Sequence, residues 1–439
     1  MDLLKSIFKG DKVIWIIFLC LCLISIIEVF SAASTLTYKS GDHWGPITQH
    51  SIILMVGAVV VVFLHNVPYK WFQVFPVFLY PISLVLLAFV TLMGIITGDR
   101  VNGAARWMTF MGLQFQPSEL AKMAVIIAVS FILSKRQDEE GANPKAFKYI
   151  MILTGLVLLL IAPENLSTAM LLFGVVFMMM FIGRVAAKKL LLLAGGLVLI
   201  VALGVGTVVA IPAKTLHNTP GLHRLETWQN RIKGFFDKDE VPAAKFDIDK
   251  DAQIAHARIA IATSHVVGKG PGNSIQRDFL SQAFSDFIFA IVIEEMGLIG
   301  GIFVVFLYLC LLMRAGRIAQ KCERTFPAFL VMGIALLLVS QAILNMMVAV
   351  GLFPVTGQPL PLVSKGGTST LINCAYIGMI LSVSRYTAHL EEQKEHDAQL
   401  QLQIETNAAD SEAQAAAEPT AQILNSDAKF EDENDINKG

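Results

Sequence analysis

Charge is what this chain has least of. Lys, Arg, Asp and Glu together make up 16% of its 439 residues, against about 25% in an ordinary soluble domain. The formal net charge is -1, with the acidic surplus in the last fifty residues, so there is no global pull toward nucleic acid, and none is expected as a partner. Cysteine is sparse as well. Cys20, Cys22, Cys310, Cys322 and Cys374 fall in apolar runs or a short basic connector, which excludes a disulfide framework in the long polar loop and any CxxC metal spacing. His217, His223, His256 and His265 lack a shared metal-type spacing such as HExxH, and no dedicated metal site is expected. The run Gly268-Lys269-Gly270-Pro271-Gly272 has neither P-loop spacing nor a preceding strand. It reads as a turn, not a nucleotide cradle.

Apolar sequence fills the space that charge leaves. Hydrophobic residues reach 55% and mean hydropathy is +0.62. A bilayer crossing needs about 17–25 apolar residues in a helix. Such runs lie near 13–33, 49–66, 74–97, 117–134, 147–162, 165–182, 189–211, 287–313, 326–352 and 371–385. The first resembles a signal peptide in its flanks, with Lys5, Lys9 and Lys12 ahead of it. It is longer than a secretory h-region of about 7–15 residues, however, and reads as a retained span. The expected fold is an all-α polytopic membrane protein with about ten transmembrane helices.

Lys and Arg in short loops set the orientation. Alternate connectors hold Lys70; Lys135, Arg136, Lys145 and Lys148; Arg184, Lys188 and Lys189; and Arg314, Arg317, Lys321 and Arg324. The short connectors on the opposite face hold only Lys39, Arg100, Arg106 and Lys365. Both termini are therefore expected in the cytoplasm. Residues 1–386 form the transmembrane domain, with 212–286 as a large extracytoplasmic loop before the eighth span. Residues 387–439, rich in Glu, Asp, Gln and Ala, read as a disordered acidic cytoplasmic tail with a short helical start over 388–402.

Polar side chains inside such a chain are costly and functional by default. One group is Asn102-Gly103-Ala104-Ala105-Arg106-Trp107, followed by Gln116-Pro117-Ser118-Glu119-Leu120-Ala121-Lys122. Pro117 suits the first turn of a helix, and Lys122 stands one turn from Ser118 and Glu119. Two arrangements fit: an internal Glu119–Lys122 pair, or a cationic pocket in which Arg106 and Lys122 face a phosphate. A second group is the long loop, where Leu225, Trp228, Ile232 and Phe235 recur with helical spacing between Arg224, Arg231 and Lys233, as in a helix lying on a membrane surface. The loop ends at Asp286, which serves either as an N-cap or as a carboxylate at the outer interface. Glu294 and Glu295 follow about 12 Å deeper and about 100° apart, too far round to share one narrow stripe. The third group, Phe353 to Thr368, is too rich in Pro and Gly for a helix. Such backbone near membrane depth lines a cavity or is buried in protein. Ser364, Lys365, Gly366 and Gly367 could receive an anion there.

These blocks resemble the SEDS family (shape, elongation, division and sporulation), whose members include FtsW, RodA and SpoVE. The resemblance rests on Asn102–Trp107 with Gln116–Lys122, on Ser285–Ala290 with Glu294-Glu295-Met296-Gly297, and on Pro354–Gly367, and it covers residues 10–386. Pro163-Glu164-Asn165-Leu166-Ser167-Thr168 departs from the family's usual Gln-Pro-Asp-Leu-Gly-Thr, and Lys365 stands where an aromatic residue is common. The resemblance implies an inverting peptidoglycan glycosyltransferase that polymerises lipid II outside the cytoplasmic membrane. It puts the catalytic aspartate at Asp286, and length and tail place the chain nearer FtsW than RodA. It further implies a class B penicillin-binding protein (FtsI-like) and other divisome membrane proteins as partners, at the septum. Substrate contacts are expected from Arg106, Lys122, Glu119, Ser118, Gln116, Lys365, Ser364, Gly366 and Gly367. A divalent cation, Mg or Mn, could share the leaving group's charge. A lipid II flippase, a non-catalytic scaffold and a RodA-like elongation polymerase are the alternatives.

Overall fold

The computed structural model describes residues 9–40, 45–96, 107–110, 113–138, 141–210, 229, 252–280 and 285–436. The architecture is helical. α1 spans Lys12–Ser40, α2 Gly45–Asn66, α3 Phe75–Ile96, α4 Pro117–Lys135, α5 Pro144–Ile161, α6 Leu166–Ile182 and α7 Ala187–Ala210. After these come a shorter α8 at Ala252–Ala262, then α9 at Ile288–Lys321, α10 at Thr325–Ala349 and α11 from Gly367 to Ile436. Among the described residues, nine of these helices are long and apolar enough to cross a membrane, and α6 is a shorter apolar helix. The protein is a multi-pass membrane protein. Two minimal hairpins, Met108–Phe110 with Leu113–Phe115 and Gln137–Asp138 with Gly141–Ala142, interrupt the all-helical pattern. Each pairs part of the backbone of a connector between two helices.

Composition sorts the helices. α4 carries Ala121, Ala124, Ala128 and Ser130, small residues that let neighbours approach, and it is buried nearly all round. α10 packs against α9, α4 and α6. At Gly333 an added Cβ would come within 2.8 Å of Met179 Sδ on α6, so the glycine lets that methionine lie against the α10 backbone. By contrast, Leu191, Leu192, Val198, Leu199 and Ile200 of α7 are exposed, which is what a helix facing lipid requires. Asp11 caps α1 by accepting from the Val13 and Ile14 N–H groups at 2.9 and 3.2 Å. It also receives Arg314 Nε at 2.9 Å, which ties the start of α1 to α9.

The chain divides into two compact units, Met1–Arg385 and Tyr386–Gly439. In the second unit the backbone is helical to Ile436, where composition suggested disorder beyond a short start. Ala, Glu, Gln and Leu all have high helix propensity, so backbone preference favours the helix even where residues 391–409 are exposed.

α8 is a helix that periodicity does not announce. Its sequence, AQIAHARIAIA, has apolar residues all round and hence no clear stripe. The surface helix expected over 225–235 lies outside the described residues, apart from Gln229, which is helical and buried.

Candidate functional site

Between α10 and α11 the chain runs without helix from Gly351 to Gly366, and Gly351, Gly357 and Leu362 have φ of 75°, 68° and 65°. Such backbone cannot satisfy its own polar groups, so surrounding helices must do it. Gln341 Nε2 of α10 donates to Pro359 O at 3.0 Å. One turn on, Asn345 Nδ2 donates to Gln358 O at 2.8 Å. Gln358 Nε2 in turn reaches Thr168 Oγ1 of α6 at 2.7 Å, and Tyr308 of α9 donates to Pro361 O. Ser25 of α1 donates to Val363 O at 2.7 Å and lies 2.8 Å from His50 Nε2. A hydroxyl has one proton. With Ser25's spent on Val363, His50 donates from Nε2.

Asp286 is held by the same scaffold. Asn345 Nδ2, besides its bond to Gln358, donates to Asp286 O at 2.9 Å. Ser364 Oγ donates to Ser285 O at 2.7 Å and accepts from Leu360 N. The backbone at Asp286 is thus anchored through carbonyl oxygens. The N-cap of α9 is Phe287, with no side-chain cap, so the Asp286 carboxylate is not spent on capping. It is partly exposed and accepts from Ser285 Oγ at 3.2 Å.

The other expected residues divide between this scaffold and its surroundings. Gln116 is the N-cap of α4, with Pro117 at the first helical position, and its N–H meets Thr368 Oγ1 at 3.4 Å. This joins the start of α4 to the start of α11. Glu119 and Lys122 form an internal pair at 2.7 Å, with Lys122 fully buried. The Lys122 ammonium also donates to Gln341 Oε1 at 2.9 Å, so its charge is compensated inside the protein and braces the residue that holds Pro359. Of the two arrangements weighed for this pair, the internal one is found. Ser118 points elsewhere, into a cleft described below. Lys365 is half-buried, and burial pushes its ammonium below the ordinary lysine range. Gly366 O accepts from Ser369 Oγ and Thr370 Oγ1 at 3.1 and 2.6 Å, and α11 begins at Gly367. Arg106 lies outside the described residues.

Glu294 and Glu295 form a separate cluster. Glu294 pairs with Lys269 at 2.5 Å and accepts from Ser274 Oγ and the Ile275 and Gln276 N–H groups. Glu295 accepts from Gly272 N at 2.8 Å, Ser274 N at 3.2 Å and Ser31 Oγ, with Arg277 Nη1 at 4.0 Å. α9 is broken beside them at Gly297, with φ 73° and ψ -175°. The loop supplies the missing ladder: Lys269 N and Gly270 N donate to Glu294 O and Glu295 O, and Leu298 N and Ile299 N donate to His265 O and Val266 O. The Gly268–Gly272 turn, with φ of 81°, 89° and 83° at its three glycines, is the clamp on this break.

Gln341, Asn345, Thr168, Ser25 and His50 escape a search restricted to charged residues in apolar runs. The signal was present, since each is a polar side chain within a span. Glu28 of α1 is fully buried, and neither carboxylate oxygen has a hydrogen-bond partner among the described residues. Among those residues no group of three or more His, Cys, Asp or Glu side chains could hold a metal ion.

The profile of the cell cycle protein family FtsW/RodA/SpoVE matches residues 11–389. The chain belongs to this family. A probable peptidoglycan glycosyltransferase FtsW of Trichlorobacter lovleyi is 32% identical over 377 residues, covering 85% of this chain and 93% of that one. The corresponding protein of Geobacter sp. strain M18 is 32% identical over 381 residues, covering 85% and 96%. Among solved structures, one chain of a peptidoglycan synthase complex superposes with TM-score 0.67 at 24% identity, covering 87% of this chain and 99% of that one. Rod shape determining protein RodA of Thermus thermophilus gives 0.58 at 23% identity, covering 86% and 97%. These likenesses establish the FtsW/RodA/SpoVE fold.

Proposed function

We propose that this chain is a peptidoglycan glycosyltransferase that polymerises lipid II on the outer face of the cytoplasmic membrane, for septal wall synthesis. The observation that carries this reading is the mounting of Asp286. Its backbone is fixed through carbonyl oxygens by Asn345 and, through Ser285, by Ser364, while its carboxylate is partly exposed at the start of a membrane helix. A sugar there stands in water while its polyprenyl chain lies in lipid.

The Asp286 carboxylate acts as general base. It takes the proton from a hydroxyl of the acceptor sugar as that oxygen attacks the donor's anomeric carbon. The carbon–oxygen bond to the diphosphate breaks on the opposite side, which inverts the centre and releases polyprenyl diphosphate. Charge develops on that leaving group, and Arg106 and Lys365 neutralise it where it appears. Lys122 acts indirectly, by bracing Gln341 and so the Pro359 backbone. Ser364, Gly366 and Gly367 shape the wall of the site. Gln116 joins it to α4, and Glu119 holds Lys122.

The partners in this reading are a class B penicillin-binding protein of the FtsI type and other divisome membrane proteins. The relatives named FtsW support septal placement, and the kinship in fold with a chain of a peptidoglycan synthase complex supports a synthase partner. The test is purified full-length chain with its transpeptidase, given lipid II, with products resolved as glycan strands. Strands from the wild type and none from Asp286→Ala are expected. Lipid transfer across vesicles without strands would replace the reading with a flippase. Rounding of cells on depletion, instead of filamentation, would move the enzyme to the side wall.

A further inference from the structure

A small cleft opens between α3, α4, α5 and α6. Leu87, Val90, Leu160 and Ile161 make its apolar wall, and Ser118, Glu164 and Asn165 its polar end. The first turns of α4 and α6 meet here, since Ser118 follows Pro117 and Asn165 is the N-cap of α6. Asn165 caps with its oxygen, accepting from Thr168 N at 3.2 Å. Its amide nitrogen is left over. Neither Asn165 Nδ2 nor Ser118 Oγ has a partner among the described residues, though each residue is only 7% exposed. Buried donors without partners are rare enough to need a reason.

We infer that this cleft is a subsite for the acetamido group of an amino sugar in the lipid-linked substrate. The inference rests on the proposed polymerase reading and deepens it. An acetamido group carries one carbonyl acceptor, one N–H donor and one methyl. The cleft answers each in turn: Asn165 Nδ2 donates to the carbonyl, Ser118 Oγ accepts from the N–H, and the apolar wall takes the methyl. Among the described residues that line it a phosphate fits worse, because Glu164 is one of them and no Lys or Arg is. The cleft is wired to the catalytic end. Thr168, whose N–H binds Asn165, accepts from Gln358, and Gln358 O shares Asn345 Nδ2 with Asp286 O. Filling it therefore registers the sugar against the base.

Asn165→Asp is the decisive variant, because a carboxylate keeps the cap on α6 but loses the donor; Ser118→Ala is the second. Full-length enzyme with its transpeptidase is given lipid II and two analogues, each with a free amine in place of the acetamido group on one of the two sugars. The wild type should lose about tenfold in kcat/KM for one analogue, as for a neutral hydrogen bond and its methyl contact, and that analogue identifies the sugar. Asn165→Asp should lose about as much on intact lipid II, with the loss in KM, and should no longer distinguish the two substrates. Wild-type discrimination retained in both variants would overturn the subsite, as would equal losses on every substrate. Binding of the same three lipids to enzyme in nanodiscs separates the two readings. Acetamido-dependent binding without turnover sinks the polymerase and keeps the subsite, while turnover without discrimination does the reverse.

Discussion

Two acidic centres sit at the start of α9, and they are held in opposite ways. Glu294 and Glu295 are fully buried, and their carboxylates are the fasteners: the loop closes on them with an ammonium, hydroxyls and N–H groups. Asp286 is partly exposed, and its position is set by hydrogen bonds to carbonyl oxygens of its own and the preceding residue. The first centre uses negative charge to close a broken helix, as buried charges require pairing. The second is positioned by amide and hydroxyl groups that bind backbone carbonyls, and its carboxylate takes no part in that anchoring. A carboxylate deep in a span is thus not by itself a catalytic sign; what its oxygens are doing decides.

Substitutions sharpen this contrast, beginning with the largest effect. Asp286→Asn keeps the shape and removes the base. Polymerisation should fall by about 10³-fold with the melting temperature unchanged, measured on detergent-purified protein. Full turnover would end the assignment. Next, Asn345→Leu removes both bonds that Asn345 Nδ2 makes to backbone carbonyls. The base stays but its placement loosens, and a loss of about 10²-fold in kcat is expected, the scale of a misplacement of about 1 Å. Glu294→Ala should do the reverse: breaking a buried pair costs about 3–5 kcal/mol of stability, while protein that remains folded works within a few-fold of the wild type. Thermal unfolding beside kcat separates these outcomes, and a stable but inactive Glu294→Ala protein would erase the distinction between the centres.

Much of this was legible from residue order. The membrane helices follow from apolar runs of the required length, and the start of α4 from Pro117 after a polar residue. The run from Phe353 to Thr368 had to be irregular and had to be held by other helices. What could not be read was pairing across the chain. Lys122 reads from sequence as a contact for a phosphate, with an inward pair as the alternative, and the structure turns it inward onto Glu119 and onto Gln341, 219 residues away. Glu294 and Glu295, about 100° apart on a helix, do not share one narrow stripe. A loop that wraps round the Gly297 break reaches both. α8 was missed because its apolar residues make no stripe, and Gln341 and Asn345 because an amide in a span attracts less notice than a charge.

The smallest expected effect concerns Lys365 and has two signs. Burial lowers its pKa below the ordinary 10.5, so the folded protein binds fewer protons than the unfolded chain between the folded pKa and the unfolded one. Stability therefore rises with pH across that window, and Lys365→Gln should slightly raise the melting temperature at neutral pH. Activity runs the other way. If the ammonium receives the diphosphate, kcat/KM falls as pH climbs through the lowered pKa, earlier than an ordinary lysine would allow. Lys365→Arg keeps its charge to above pH 12 and should push that alkaline limb upward by at least half a unit or so, while Lys365→Gln should flatten it at a lower plateau. Identical limbs in wild type and Lys365→Arg would show that the leaving group draws its positive charge from elsewhere in the site, with Arg106 then the first residue to test.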